Sequence, residues 1–180
     1  SRQTFTIKEV VQIYPERKNI YTDTEEFLSS IEIPEKKNSL YFKEKISDKI
    51  KLNFISPTRI KFQGKFISIP EFHHLVRNLI RRITFLSYYW CDYKIEYDWK
   101  NLTKEASDIK IENCKIKWVD LERYSSRQKT KMKMGGFVGN IEYKGSIEKF
   151  LPLIYLGSYL HIGKNTTFGL GKYIIENEQH

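Results

Sequence analysis

The sequence is poor in the residues that mark a metal centre, a disulfide framework or a membrane span. Its two cysteines, Cys91 and Cys114, form no Cys-x-x-Cys pair, and its four histidines show no His-x-x-x-His spacing. We therefore predict two buried free thiols in a reducing cytoplasm, with no metal site and no cofactor. No run approaches the roughly 18 apolar residues of a membrane helix, and no signal peptide opens the chain, so we expect no membrane partner.

Basic residues outnumber acidic ones. The sequence has 31 lysines and arginines against 22 aspartates and glutamates, a formal net charge of +9 at pH 7. A basic protein of this size tends to bind polyanions such as nucleic acids. A lysine-rich proteome gives the same excess, so only the placement of the cations separates the two explanations.

Residues 1–48 differ in pattern from the rest of the chain. Residues 5–14 alternate as a strand does, Pro15 ends the alternation, and a polar, charged stretch with Pro34 follows. We predict a strand and a connector here, and a separate domain over residues 49–180. The opening residues resemble the middle of a longer protein, so we expect this chain to be a fragment.

From residue 49 the hydrophobic pattern predicts the elements of one compact domain. In chain order they are a strand over 49–61 that Pro57 interrupts, a helix over 70–89, a short helix near 101–107, a strand over 114–124, a hairpin tip at 125–129, a glycine-containing strand over 131–143, a helix from Ser146 to Leu160, and a strand over 168–175. Ser68 and Ser146 are expected to cap the two main helices.

The main elements follow each other as β-α-β-β-α-β over residues 49–176. This order predicts an α+β, ferredoxin-like fold, with an antiparallel four-stranded sheet and two helices on one face. The other face would stay open, and several RNA-binding modules use an open sheet face as their platform.

The segment after the second main helix is rich in glycine, lysine and threonine. It lacks the P-loop spacing and leads into a strand, so it is neither a P-loop nor a dinucleotide fingerprint. Glycines let backbone N–H groups approach an anion and lysines neutralise it, which favours phosphate binding. The alternative is a tight connection that needs positive φ angles. The candidate residues are Gly163, Lys164, Asn165, Thr166, Thr167, Gly169, Gly171 and Lys172.

Two further basic clusters are candidates for RNA phosphates. One lies on a face of the first helix and the other in the predicted hairpin, and each has a simple alternative as a solvated helix face or an exposed hairpin tip. The candidates are Arg77, Arg81 and Arg82 on the helix and Arg127, Lys129 and Lys131 in the hairpin.

Other side chains on these elements suit RNA chemistry less specifically. His73 and His74 have the chemistry of a general base, although surface histidines are commoner. The aromatic residues that we consider for base stacking, most of which we expect in the core, are Tyr124, Phe137, Tyr143, Phe168 and Tyr173.

Several of these motifs together resemble the CRISPR repeat-processing endoribonuclease family of the RAMP superfamily. The resemblance covers roughly residues 50–176, and its glycine-rich ending is the most specific part. The matching pieces are Phe54-Ile55-Ser56-Pro57-Thr58-Arg59-Ile60-Lys61, Arg81-Arg82-Ile83, Ser126-Arg127-Gln128, Gly135-Gly136-Phe137-Val138-Gly139, Phe150-Leu151-Pro152-Leu153, Leu156-Gly157, His161-Ile162-Gly163-Lys164 and Thr167-Phe168-Gly169-Leu170-Gly171-Lys172-Tyr173.

The resemblance implies a C-terminal half of a protein with two ferredoxin-like domains. The strand predicted over residues 5–14 would then be the last strand of the missing first domain. The resemblance also implies binding of CRISPR repeat RNA at the glycine-rich loop, metal-independent cleavage through attack of a 2′-hydroxyl, and other CRISPR-associated proteins as partners in antiviral defence. In many members of the family the catalytic histidine belongs to the first domain. We therefore assign no catalytic residue here, His161 included, and expect this chain alone to be inactive in the processing of precursor RNA.

Two rival hypotheses remain at this point. A RAMP-type subunit of a CRISPR effector complex would bind RNA on the same fold without cutting it. A ferredoxin-like domain unrelated to RNA would not need the glycine-rich ending. A cleavage assay separates the endoribonuclease from the silent subunit.

Overall fold

The computed structural model describes residues 9–12, 18–22, 48–125 and 129–176. The chain divides into two units, Ser1–Lys43 and Glu44–His180. In the first unit, β1 (Glu9–Gln12) and β2 (Lys18–Thr22) pair as an antiparallel hairpin. The rest of the strand predicted over 5–14 lies outside the described residues. Within the described ranges, no helix has the length and hydrophobicity that crossing a membrane requires.

The described part of the second unit alternates strands with helices. In chain order its elements are β3 (Lys49–Thr58), β4 (Ile60–Phe62), β5 (Lys65–Ile67), α1 (Phe72–Cys91), α2 (Trp99–Glu105), β6 (Lys110–Val119), β7 (Glu122–Ser125), β8 (Thr130–Lys133), β9 (Gly136–Lys144), a 3-10 turn (Glu148–Phe150), α3 (Leu151–Leu160), a second 3-10 turn (Thr166–Phe168) and β10 (Tyr173–Glu176).

Four of these strands form the central sheet, in the order β10-β3-β9-β6. All neighbouring pairs are antiparallel. In the register, Leu52 and Cys114 lie on either side of Ile141. The two central strands, β3 and β9, are the first and third strands of the β-α-β-β-α-β order. This arrangement confirms the predicted ferredoxin-like fold.

The hydrophobic core lies on one face of this sheet. Successive residues of β3 alternate in burial, and Ile50, Leu52 and Phe54 are almost completely buried. Residues two apart in a strand point to the same face, so this alternation directs every second side chain of β3 into the core. The helices α1, α2 and α3 cover this face, with Leu79 of α1 and Ile154 of α3 fully buried.

Two buried tyrosines tie the sheet to the helical layer. The Tyr143 hydroxyl donates to the Pro70 carbonyl over 2.7 Å, and the Tyr173 hydroxyl donates to the Ile154 carbonyl over 2.6 Å. Burial raises the pKa of both phenols, so both remain donors at neutral pH. Each bond satisfies a polar atom that would otherwise be costly to bury.

The opposite face of the sheet carries paired charges. Lys49 lies 2.6 Å from Glu112, and Lys51 lies 2.6 Å from Glu176. The Asn53 amide also donates to Glu176 over 2.8 Å. The hydrogen bonds from these lysines lower the pKa of the Glu112 and Glu176 carboxyl groups. The charges of Lys49 and Lys51 are therefore neutralised within the protein.

The start of α1 differs from the prediction. The helix begins at Phe72, and neither Ser68 nor Pro70 belongs to its first turn. The Glu71 N–H donates to Nδ1 of His74 over 3.1 Å, so the side chain of His74 caps the helix. His74 is only 8% exposed, and the expectation of a surface histidine was wrong for this residue.

Several other predicted boundaries also change because turns interrupt the strands. The strand over 49–61 divides into β3 and β4, and β4 forms an unpredicted hairpin with β5. The strand over 114–124 divides into β6, which starts at Lys110, and β7. The strand over 131–143 divides into β8 and β9 because β7 and β8 pair only with each other. The last strand begins at Tyr173 and not at Phe168, because Phe168 belongs to the second 3-10 turn.

Two smaller expectations were also wrong. Ser146 does not cap the second main helix, because the chain enters it through a 3-10 turn whose N-cap residue is the buried Ile147. The cysteines are free but not buried. Cys91 is exposed at the end of α1, and Cys114 is half-buried on β6.

The cap on α1 should make folding depend on pH. Burial lowers the pKa of His74 below its usual 6.5, and the neighbouring His73 contributes to the shift. The unfolded chain then binds protons that the folded chain does not, so stability is full above pH 6.5 and falls as the pH drops through the folded pKa. The cap itself is worth about 1 kcal/mol.

We expect His74→Asn to reduce this dependence, since an asparagine oxygen also accepts the Glu71 N–H but cannot be protonated. Burial also lowers the pKa of His73, so that residue keeps part of the dependence in the variant. The measurement is urea unfolding at pH 7.5 and 5.5 for both proteins. The same loss of stability between the two pH values in the variant would show that His74 is not the responsible group.

Candidate functional site

The glycine-rich loop, residues 161–172, folds back onto the end of β3. The N–H groups of Lys164 and Gly171 donate to the carbonyls of Arg59 and Pro57 over 2.9 and 3.1 Å. Ser56 Oγ accepts the Lys172 N–H over 2.8 Å and donates to the Gly169 carbonyl over 3.1 Å. Two motifs that lie more than 100 residues apart in the sequence thus form a single surface.

Two glycines permit this close approach. Gly163 and Gly171 have φ angles of +85° and +77°. A Cβ on Gly163 would lie 2.5 Å from the Arg59 carbonyl oxygen, and one on Gly171 would overlap the Ile162 carbonyl. Gly163 and Gly171 therefore belong to a tight connection with positive φ angles, which is the alternative to phosphate binding that the sequence left open.

Gly169 is different because nothing lies within 4 Å of the position where its Cβ would be. Its φ of +77° follows the 3-10 turn at the tip of the loop. The tip is therefore the part of the loop whose backbone another molecule can approach.

The backbone N–H groups of the loop also fall into two groups. Some donate to a carbonyl of the protein, and for others the described residues supply no acceptor. The N–H groups of Ile162, Phe168 and Gly169 all donate to carbonyls within the loop. The N–H groups of Asn165, Thr166 and Thr167 donate to no acceptor in the described part of the chain. This stretch of the predicted phosphate cradle therefore offers three consecutive backbone donors to a ligand.

Arg59 holds the loop and the adjacent hairpin together, and the candidate set from the sequence missed it. Its guanidinium donates to the carbonyls of Gly135 and Lys133 over 2.7 and 2.6 Å, and lies 4.6 Å from the Phe66 ring. The carbonyl of Arg59 accepts from the loop. The Ser56–Lys61 motif contains Arg59, but only the folded structure shows that this arginine contacts the loop and the hairpin.

Arg123 brings the basic hairpin to the loop tip and was also missed. Its guanidinium stacks 4.3 Å from the ring of Phe168, which is half-exposed. Lys129 and Lys131 lie on the same hairpin with exposed side chains, and Lys131 lies 3.8 Å from Glu122. Arg127 lies outside the described residues.

The cations of α1 separate into two groups. The Arg82 guanidinium donates to the Leu160 carbonyl over 2.6 Å, at the end of α3 where the loop begins. Burial lowers its pKa, and its contact is with the protein's own backbone. Arg77 and Arg81 line a separate groove with α2.

The aromatic and histidine candidates are similarly divided. Phe137, Tyr143 and Tyr173 lie in the core, whereas Tyr124 and Phe168 are exposed. His161 has a φ of +61° at the start of the loop, and its Nδ1 lies 3.2 Å from the Leu170 carbonyl.

Among the described residues, no three histidine, cysteine, aspartate or glutamate side chains are placed to hold a metal ion. The donors gathered at the loop tip are lysine, arginine, threonine and backbone N–H groups. Such donors bind phosphate oxygens.

Comparisons with known proteins agree with this fold. A family model described as CRISPR-associated endoribonuclease Cas6 matches residues 52–173, which confirms the resemblance read from the sequence. No curated protein matches the chain.

Similar solved structures have low sequence identity. Thermus thermophilus Cas6 is 14% identical, with a TM-score of 0.56 over 72% of this chain and 53% of that chain. A Cas6 product complex is 20% identical, with a TM-score of 0.51 over 76% and 54%. A partial Cas6-RT-Cas1–Cas2 complex is 18% identical, with a TM-score of 0.53 over 73% and 23%. The chain spans about half the length of the first two structures, and these likenesses establish the fold alone.

The geometry of the loop predicts unequal costs for three glycine substitutions. Gly171→Ala places a Cβ against a carbonyl and should lower the free energy of unfolding by at least about 2 kcal/mol more than Gly169→Ala. Gly169→Ala meets open space and should cost about 1 kcal/mol for its positive φ alone. Gly64→Ala is the matched control, since Gly64 also has a positive φ and open space.

Urea unfolding of the three variants measures these costs. Equal values for Gly171→Ala and Gly64→Ala would contradict the close packing of the loop on the end of β3.

Proposed function

Because the chain belongs to the CRISPR-associated endoribonuclease Cas6 family, we propose that it binds CRISPR repeat RNA as the C-terminal half of a metal-independent endoribonuclease. The observation that carries the proposal is the loop tip. There three backbone N–H groups, for which the described residues supply no acceptor, lie between Lys164 and the pair of Arg123 and Phe168. These donors suit the phosphates of one RNA strand.

Each part of the tip has a distinct role in this proposal. The N–H groups of Asn165, Thr166 and Thr167 donate to phosphate oxygens, and Lys164 neutralises their charge. The Arg123 guanidinium, held over the Phe168 ring, presents its donors to an adjacent phosphate. Arg59 positions the tip through the backbone and does not itself contact RNA. The exposed hairpin residues Lys129 and Lys131 extend the basic surface. RNA binding by Arg127 stays a prediction from the sequence.

The proposed reaction needs no oxidant and no second substrate. A 2′-hydroxyl oxygen attacks the adjacent phosphorus, and the bond from phosphorus to the 5′-oxygen breaks. One base removes the 2′-hydroxyl proton and one acid protonates the leaving oxygen. The products are a 2′,3′-cyclic phosphate and a 5′-hydroxyl end.

We further propose that the first domain of the whole protein supplies the base. The chain spans about half the length of the Cas6 structures that it matches, which is consistent with a two-domain protein. Its remaining partners would be other CRISPR-associated proteins. We place the protein in the cytoplasm, a reducing compartment that keeps Cys91 and Cys114 as free thiols.

We expect Lys164→Ala to weaken binding of repeat RNA and to reduce the slope of log affinity against log salt by about 0.7 to 0.9 for the lost phosphate contact. Lys94→Ala is the control, because Lys94 is an exposed lysine on the connector after α1, paired with Glu96. Fluorescence anisotropy at several salt concentrations measures both quantities. Equal effects of the two substitutions would mean that binding depends on diffuse charge and not on the loop.

A cleavage assay tests the division of labour between the halves. We expect this 180-residue chain to bind labelled repeat RNA in EDTA without cutting it, because the general base is elsewhere. The whole protein should cut the same RNA under the same conditions. Cleavage by the chain alone that His161→Ala abolishes would overturn the proposal and make His161 catalytic. Binding without cleavage by the whole protein would favour the silent effector subunit.

A further inference from the structure

A groove of about 890 Å³ lies between α1, α2 and the β4–β5 hairpin, and the proposed function does not use it. Its apolar part consists of Ile60, Ile80 and Phe62, of which the two isoleucines are buried. No residue of the glycine-rich loop lines it, and neither an aspartate nor a glutamate is among its lining residues.

Cations project from each wall of the groove. Arg77 and Arg81 are four residues apart on α1, and Lys100 and Lys104 are four residues apart on α2. Residues at this spacing lie one above the other on a helix face, about one 5.4 Å turn apart. Lys61 adds a fifth cation from the hairpin.

The described part of the chain provides no carboxylate to neutralise these cations. Among the residues that the structure describes, no carboxylate lies within salt-bridge distance of any of the five, in contrast to Lys49 and Lys51 on the open sheet face. Concentrated positive charge in a concave surface attracts a polyanion and not an isolated carboxylate side chain.

Aromatic rings lie among the cations. The Phe62 ring is 5.4 Å from the Arg77 guanidinium and 4.4 Å from the His74 ring. Trp99 lines the opposite wall, and its ring centre lies 4.9 Å from that of Tyr97 with the two rings tilted. Both Phe62 and Trp99 are partly exposed. Cations beside accessible rings are the combination by which proteins hold single-stranded nucleic acid, since the cations follow the backbone and the rings stack on unpaired bases.

We infer that this groove binds an unpaired RNA strand, as a second site distinct from the glycine-rich loop. The inference rests on the proposed function for RNA as the ligand, but it assigns different residues. The arginines and lysines hold successive phosphates, and Trp99 stacks on a base. The loop and the groove then contact separate parts of one RNA.

Trp99 supplies a direct readout of this site. The chain has three tryptophans, and Trp90→Phe with Trp118→Phe leaves Trp99 as the only one. Trp90 and Trp118 are 80% and 40% exposed, so these replacements leave the core intact. Titration with a single-stranded oligouridine that lacks the repeat sequence should quench Trp99 fluorescence through stacking.

The site variant is Lys100→Ala with Lys104→Ala, which retains the helix because alanine favours it. We expect about tenfold weaker oligouridine binding and a salt slope reduced by about 0.7 per lost contact. Lys115→Ala with Lys117→Ala on the open sheet face is the matched control. Lys164→Ala should leave the quenching unchanged, so failure of the loop proposal and failure of this one give different results.

Three outcomes would overturn the inference. The first is the absence of Trp99 quenching by oligouridine. The second is an equal loss of affinity in the two double variants. The third is inorganic tripolyphosphate binding as tightly as the RNA, which would show a phosphate site that ignores bases.

Discussion

The contact between the glycine-rich loop and the irregular end of β3 is the constraint on which the rest of the candidate site depends. Backbone meets backbone there, because the carbonyls of Pro57 and Arg59 accept the amides of Gly171 and Lys164. A side chain at Gly163 or Gly171 would separate the two segments. With the base of the loop fixed in this way, the exposed tip at residues 165–169 has a defined position beside the β7–β8 hairpin.

Charge pairing distinguishes the surfaces of the domain from each other. On the open sheet face, Lys49 and Lys51 have glutamate partners at 2.6 Å, and hydrogen bonding holds the pKa of those carboxyl groups low. At the groove between α1 and α2, the cations have no carboxylate partner among the described residues. Among the described residues, the pairing of basic charge is thus uneven, and the cations of the groove remain available to a polyanion.

Arginine has two different roles in this molecule. Arg59 and Arg82 donate to backbone carbonyls of other segments and act as internal clamps. Arg123 is held on an aromatic ring at the surface, and Arg77 lies over the edge of the groove. Sequence spacing placed Arg77, Arg81 and Arg82 in one cluster, yet the helix directs Arg82 towards the end of α3. A cluster of cations in a sequence is therefore not yet a binding surface.

The sequence by itself determined the fold class and the order of the main elements, because alternation in β3 and the helical spacing in α1 are local patterns set by burial on one side. It also marked the glycine-rich segment. It did not determine where α1 begins, since His74 caps the helix only where Phe62 and the hairpin cover it. Only the tertiary structure decided which glycines serve packing and which leave the tip open. The reason is that this distinction depends on which atoms lie beside each glycine Cα. Residues 56–59 contact the loop only in the folded chain.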